Sequence, residues 1–199
     1  MAKLIESKER KCIKDAIAVF GCVREETLEK YVELINNTKF YSKSLINDVV
    51  LSTLACKYNV ARSKYVKSSP AAETDITAAN AFEAYVALLT EYPDVCNKES
   101  EVRVSLGRYP YNYVATFNNK TYAFIVYDYT GDRRLAHHNK SIQSDNDDIN
   151  EQVVLVIPPG YDLEALDGII LKGIYRIAII RNNDPQNLTC LLSETYKGD

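Results

Sequence analysis

The sequence predicts an α+β fold in two parts, on three observations. Segments with apolar residues at i, i+3, i+4 and i+7 crowd the first 55 residues and recur once, at 74–92. From about residue 100 onward, short alternating or continuous apolar runs take over, the signature of strands. The charge divides along the chain as well. Residues 1–70 carry 13 Lys and Arg against 8 Asp and Glu, a surplus of five, whereas residues 71–199 carry 11 against 19, a deficit of eight. The net charge of −3 conceals that split, and a basic segment beside an acidic one suggests that only one part meets a polyanion.

The first helix spans residues 8–20, where Cys12, Ile13, Ala16, Ile17 and Phe20 form one stripe and Gly21 ends the run. The second covers Arg24 to Ile35, with Leu28, Tyr31, Val32 and Ile35 on one side. Glu25 and Glu26 sit in its first turn, where the helix dipole favours acids. A third starts after Tyr41 or Ser42 and buries Leu45, Ile46, Val49, Val50 and Thr53. Three short amphipathic helices in so few residues make a compact bundle.

The segment that follows, LACKYNVARSKYVKSSP, is rich in Tyr and Val and carries Lys57, Arg62, Lys64 and Lys67 before Pro70 closes it. Three helices and then a basic β-hairpin is the order of a winged helix, in which the third helix enters the major groove and the hairpin lies along the phosphates. On that reading Lys43, Ser44 and Asn47, early on the exposed side of helix three, face bases or phosphates, and Lys57, Arg62, Lys64 and Lys67 face phosphates. A winged helix can equally serve as a protein-docking module.

Ser68 to Ala72 is the expected linker, giving parts of 1–70 and 71–199. Residues 74–92 form a helix through Phe82, Tyr85, Val86 and Leu89, stopped by Pro93. Val102, Val104 and Leu106 alternate, as do Tyr113, Ala115 and Phe117, and 122–129 is a nearly continuous apolar run suited to a strand buried on both faces. The polar stretch 130–150 is expected to be a loop with at most a helical turn. A buried strand 153–157, a stop at Pro158-Pro159-Gly160, a short helix near Leu163 to Leu166, and strands 174–181 and 188–192 complete a small α/β domain with a mixed sheet.

Composition excludes several classes. With 46% hydrophobic and 26% charged residues the chain can bury a core without staples. Five widely spaced cysteines without a C-x-x-C pair argue against a disulfide framework and a zinc finger, and fit a reducing cytosol. No apolar stretch approaches the roughly 18 residues of a membrane span, and the first fifteen residues are too charged for a secretory signal. Neither a G-x-x-x-x-G-K-[ST] cradle nor a G-x-G-x-x-G turn occurs, so no nucleotide cofactor is expected.

The run 114–131, VATFNNKTYAFIVYDYTG, reads as two strands and a polar turn, the second strand ending in Ile125-Val126-Tyr127-Asp128. A basic winged helix followed by an α/β domain with this hairpin resembles the replication-relaxation family of bacterial plasmids and conjugative transposons, whose C-terminal part is similar to the restriction-endonuclease core. The resemblance covers most of the chain in order of elements. An active core of that kind needs a carboxylate ahead of the hairpin, then an acid, one residue and a lysine on the next strand, so that two acids hold Mg²⁺. Here those positions fall on Asn112, Val126 and Asp128, which leaves the trio incomplete.

Two other constellations stand beside it. Asp128, Asp132, Glu151 and Lys140 could meet across the loop as another metal site, although loop acids are usually solvated. His137 and His138 are adjacent, so their side chains diverge, and they read as exposed loop residues. Tyr109, Tyr111 and Tyr113, next to Arg108, would share a strand face and stack on bases, pack under a helix or meet at a subunit contact.

The expectation is therefore a cytosolic, non-catalytic protein that binds double-stranded DNA without cofactor or metal. It would pair two-fold as a homodimer for specificity and act, by resemblance, in replication, transfer or regulation of a mobile element. A metal-dependent nuclease and a docking module that never touches DNA are the alternatives.

Overall fold

The computed structural model describes residues 7–36, 41–60, 63–92, 103–117, 119–127, 131–143, 151–161, 173–184 and 187–193. Within them the chain is mixed α+β, with five helices and two sheets, one of them mixed.

Helix α1 (Lys8–Phe20) starts on Ser7, whose hydroxyl accepts from the Arg10 amide, and ends at Gly21 with φ of 72°. The next three residues form a strand, β1 (Cys22–Arg24), too short for any periodicity to reveal it. Arg24 therefore ends a strand, and helix α2 (Glu25–Asn36) begins one residue later than its pattern suggests. Helix α3 (Ser42–Ser52) buries Ile46 and Val49, and the hairpin is β2 (Cys56–Val60) with β3 (Ser63–Lys67). Strand β3 lies between β1 and β2, antiparallel to both. One face of this small sheet turns Val23 and Val66 into the helical core, and the other lays Cys22 and Tyr65 against Ala79 of helix α4 (Ile76–Thr90).

The expected linker is tied to its surroundings. The Ser68 amide donates to the Gly21 carbonyl at 2.9 Å, and the Ala72 carbonyl accepts from Lys67 Nζ at 2.7 Å. Asp75 then caps α4 by accepting from the Ala78 amide.

The large sheet runs in sequence order: β4 (Arg103–Leu106), β5 (Tyr113–Phe117), β6 (Lys120–Val126), β7 (Glu151–Ile157), β8 (Ile174–Asp184) and β9 (Asn187–Leu192). The β6–β7 and β7–β8 pairs are parallel and the rest antiparallel. Phe117 pairs with Lys120 across a two-residue turn in which Asn119 takes φ of 59°, a conformation asparagine tolerates. Strand parity sorts the apolar residues. Tyr113, Ala115, Phe117, Tyr122, Phe124, Val126, Val154 and Val156 face α4, while Ala123, Ile125, Val153, Leu155 and Ile157 face the opposite side.

That opposite side is covered by helix α5 (Gly131–Gln143), which occupies the stretch expected to be a loop. Its apolar content is low, so the periodicity is weak, but Leu135 and His138, three apart, are buried. The expected helix near Leu163 to Leu166 and the stop at Pro93 lie outside the described residues.

Helix α4 is central. It touches α1, α2 and β1 on one side and β6, β7, β8 and β9 on the other. Phe82 and Tyr85 are its anchors: the Phe20 and Phe82 rings meet edge-on at 5.0 Å, and Tyr85 packs on Phe117 and Phe124 at 6.5 and 6.4 Å. One apolar cluster thus runs from the three-helix bundle through α4 into the large sheet.

Candidate nucleic-acid interface

The expected contact residues come from three elements, and parity decides where each points. On β2, Lys57 and Asn59 are two apart and share a face, and Asn59 stands opposite Lys64 on β3. Lys67 is three residues from Lys64 and so emerges on the other face. It is only 7% exposed, donates to the Ala72 carbonyl, and places its ammonium 4.6 Å from the Tyr58 ring centroid. Lys67 therefore braces the back of the hairpin and offers phosphate nothing. Arg62 lies outside the described residues.

On α3, Lys43, Ser44 and Asn47 are exposed while Ser42, Ile46 and Val49 are buried. Asp48, also exposed, accepts from Arg10 at 2.9 Å and ties α1 to α3. The same outward side ends in Leu51 and Leu54, which are 85% and 78% exposed.

Between α3 and the hairpin is an open cleft of about 680 Å³, lined by Lys43, Asn47, Lys57, Asn59 and Lys64, and along α2 by Glu25, Glu26 and Glu29. The sequence pattern missed the acids as site residues because Glu25 and Glu26 read as dipole-favoured first-turn residues and Glu29 as one more polar position of the helix. The available signal was the i, i+4 spacing of Glu25 and Glu29, which puts both on one side of α2. Glu25 Oε1 accepts directly from Lys57 Nζ, and Glu29 Oε2 lies 3.8 Å from Lys43 Nζ. Burial, reinforced by the neighbouring Glu25, Glu26 and Glu33, pushes the Glu29 carboxyl above its ordinary value, while Lys43 pulls it back. Three carboxylates face three ammoniums, and Lys64 is the one of these lysines without an ion pair among the described residues.

No family model matches this chain, and no curated protein matches it.

The positions of the expected nuclease pattern lie elsewhere, on the large sheet. Asn112 and Val126 do meet: Asn112 Oδ1 accepts from the Val126 amide at 3.0 Å, and the Asn112 amide donates to the Phe124 carbonyl at 2.8 Å. The side chain at the first expected acid position thus acts as a backbone clamp, and Val126 beside it is fully buried. Asp128 lies outside the described residues, as do the side chains of Asp132 and Glu151, while Lys140 is exposed on α5. Among the described residues no three His, Cys, Asp or Glu side chains group as a metal site. Nor is any helix among them long and apolar enough to cross a membrane.

Two sequence expectations near these positions are corrected. His137 and His138 lie on a helix rather than in a loop. His138 is buried with Nδ1 3.4 Å from the Tyr111 hydroxyl, and His137 is exposed with its ring 4.9 Å from that of Tyr109. The three tyrosines do not form one row, because the strand starts only at Tyr113. Tyr113 packs on Phe20 at 4.6 Å, Tyr111 turns to His138, and Tyr109 is exposed with the Arg134 guanidinium 5.3 Å from its ring.

Proposed function

We propose that residues up to about 70 form a winged helix that binds duplex DNA without cutting it. The observation that carries this reading is the convergence of Lys43 and Asn47 from α3 with Lys57 and Lys64 from both hairpin strands on one open cleft. The order α1, β1, α2, α3, β2, β3 with β3 central in its sheet supports it, since that arrangement sets a hairpin beside an exposed helix. Lysines on the hairpin neutralise phosphates while Lys43, Ser44 and Asn47 face bases or phosphates. The remainder, 71–199, supports the reader and does no chemistry. Two-fold pairing gives the second half-site that one small module needs. The setting attached to this reading is that of the family it resembles: replication, transfer or regulation of a mobile element.

The test is anisotropy of a fluorescent random duplex titrated with protein at several salt concentrations. Log affinity should fall steeply with log salt, and Lys57→Glu with Lys64→Glu should flatten that slope by about two. Binding that is flat in salt, or absent up to about 100 µM, overturns the proposal.

Protein docking is the second reading, favoured by the pairing of two cleft lysines with glutamates and by exposed Leu51 and Leu54 at the end of α3. It predicts that the double lysine variant leaves DNA retention unchanged.

A further inference from the structure

We propose that Glu25 and Glu29 are internal counter-ions that occupy, on Lys57 and Lys43, the places DNA phosphates would take, so that the duplex enters the cleft only by exchanging carboxylate for phosphate. This inference rests on the DNA-binding reading of the same cleft.

The geometry gives the exchange its physical content. A carboxylate and a phosphate diester are both anionic oxygen acceptors, and an ammonium satisfied by one gains little by turning to the other. Lys57 meets Glu25 directly, and Lys43 stands 3.8 Å from Glu29. With Glu26 on the same wall, the cleft is neutral as it stands, although residues 1–70 carry a surplus of five positive charges. Lys64, without an ion pair among the described residues, is the cation through which a phosphate first engages.

The two acids are not equivalent. Glu25 is buried and its side chain 11% exposed, so a lysine that leaves it strands a poorly hydrated carboxylate. Glu29 is more open and its partner Lys43 lies mostly in solvent, so that pair is held more loosely and screened more strongly. The counter-ion effect should therefore be larger at Glu25. Such a contact sets a threshold: weak encounters with stray polyanions do not displace the acids, whereas a site that also satisfies α3 does.

The experiment compares full-length wild type with Glu25→Gln, Glu29→Gln, the double variant and Glu33→Gln, using the random duplex at several salt concentrations. Glutamine preserves shape and removes charge, and a melt of each variant confirms folding. Glu33 lies on the same helix outside the cleft lining, one turn beyond Glu29, and reports the effect of removing a nearby negative charge without vacating a lysine. The expected result is binding about tenfold tighter for the double variant, most of it from Glu25→Gln, with little change for Glu33→Gln. Wild type that binds DNA as tightly as the double variant overturns the counter-ion role and leaves the DNA reading standing. An equal gain from Glu33→Gln overturns it as well, because the effect would then be nearby charge rather than a vacated lysine. If neither wild type nor any variant binds, the DNA reading itself fails. Should the double variant not fold, Glu29→Gln at the more open position decides the matter by the same comparison.

Discussion

Arg24, the last residue of β1, donates through Nη2 to Asn80 Oδ1 of α4 at 2.6 Å, and its other terminal nitrogen lies 4.0 Å from Glu83. Glu83 also accepts from the Thr27 hydroxyl and lies 3.8 Å from Lys30. All of these except Lys30 are buried. Removing one partner strands a charge in the core, so Glu83→Ala should cost about 3–5 kcal/mol in urea unfolding. Glu83→Gln, which keeps the acceptor for Thr27, should cost less. The exposed Arg10–Asp48 pair is the contrast, and Asp48→Ala should cost under about 1 kcal/mol.

Lys67 and Lys64 leave β3 on opposite faces, so their substitutions should separate stability from binding. Lys67→Glu puts a carboxylate beside the Ala72 carbonyl and should lower the melting temperature. Lys64→Glu should leave the melt nearly unchanged and weaken duplex binding at low salt. Equal effects of both on binding would contradict the parity argument.

Alkaline pH should unfold the protein through its buried tyrosines. Burial, with Asp75 and Cys22 nearby, pushes Tyr113 up to about 12 from 10, and Tyr122 also moves up. The folded state holds these protons more tightly than the unfolded chain does. Stability is therefore fully present below about pH 10 and falls between about 10 and 12 as the unfolded state ionises first. For Tyr113 alone the loss is on the order of 2 kcal/mol, and tyrosinate absorbance should rise in step with loss of near-UV dichroism.

Gly107 and Gly160 should respond differently to alanine. A Cβ at Gly107 would stand 2.8 Å from the Tyr111 carbonyl oxygen, a backbone atom in the turn that presents Asn112. Gly107→Ala should cost about 1–3 kcal/mol. Gly160 has open space but a φ of 88°, so alanine there meets only conformational strain of about 1 kcal/mol. Differential scanning calorimetry separates the two.

Asn112→Asp supplies the first acid of the nuclease pattern while keeping an acceptor for the Val126 amide. With Val126 still apolar, Mg²⁺-dependent cleavage of a plasmid should not appear. Cleavage by this variant would show that acids outside the described residues complete a metal site.

The element order was largely readable from periodicity, because helices of a dozen residues and strands with alternating burial leave strong patterns. Three features were hidden for physical reasons. Strand β1 is three residues long, below any period. Helix α5 carries few apolar residues and is stabilised by Leu135 and His138 against the sheet. Helix α4 read as one-sided, yet Ile76 to Thr90 holds a single charged residue, Glu83, which is the mark of a helix buried nearly all round. In the candidate interface, the lysines were visible but their orientation was not. The parity that turns Lys67 away follows once the strand is fixed, whereas the approach of α2 acids to hairpin lysines is a tertiary contact with no local signature.

Because the hairpin's back face rests on α4, the first seventy residues should not fold as a detachable unit. Severing the chain after Pro70 would uncover Cys22, Tyr65, Phe20 and Tyr31 together, and would take from Arg24 its amide and carboxylate partners. Such a fragment should be sticky and short-lived in solution, since the hairpin and the large sheet pack on the same helix. Any duplex lodged on that hairpin would be held at an angle to the large sheet that α4 sets.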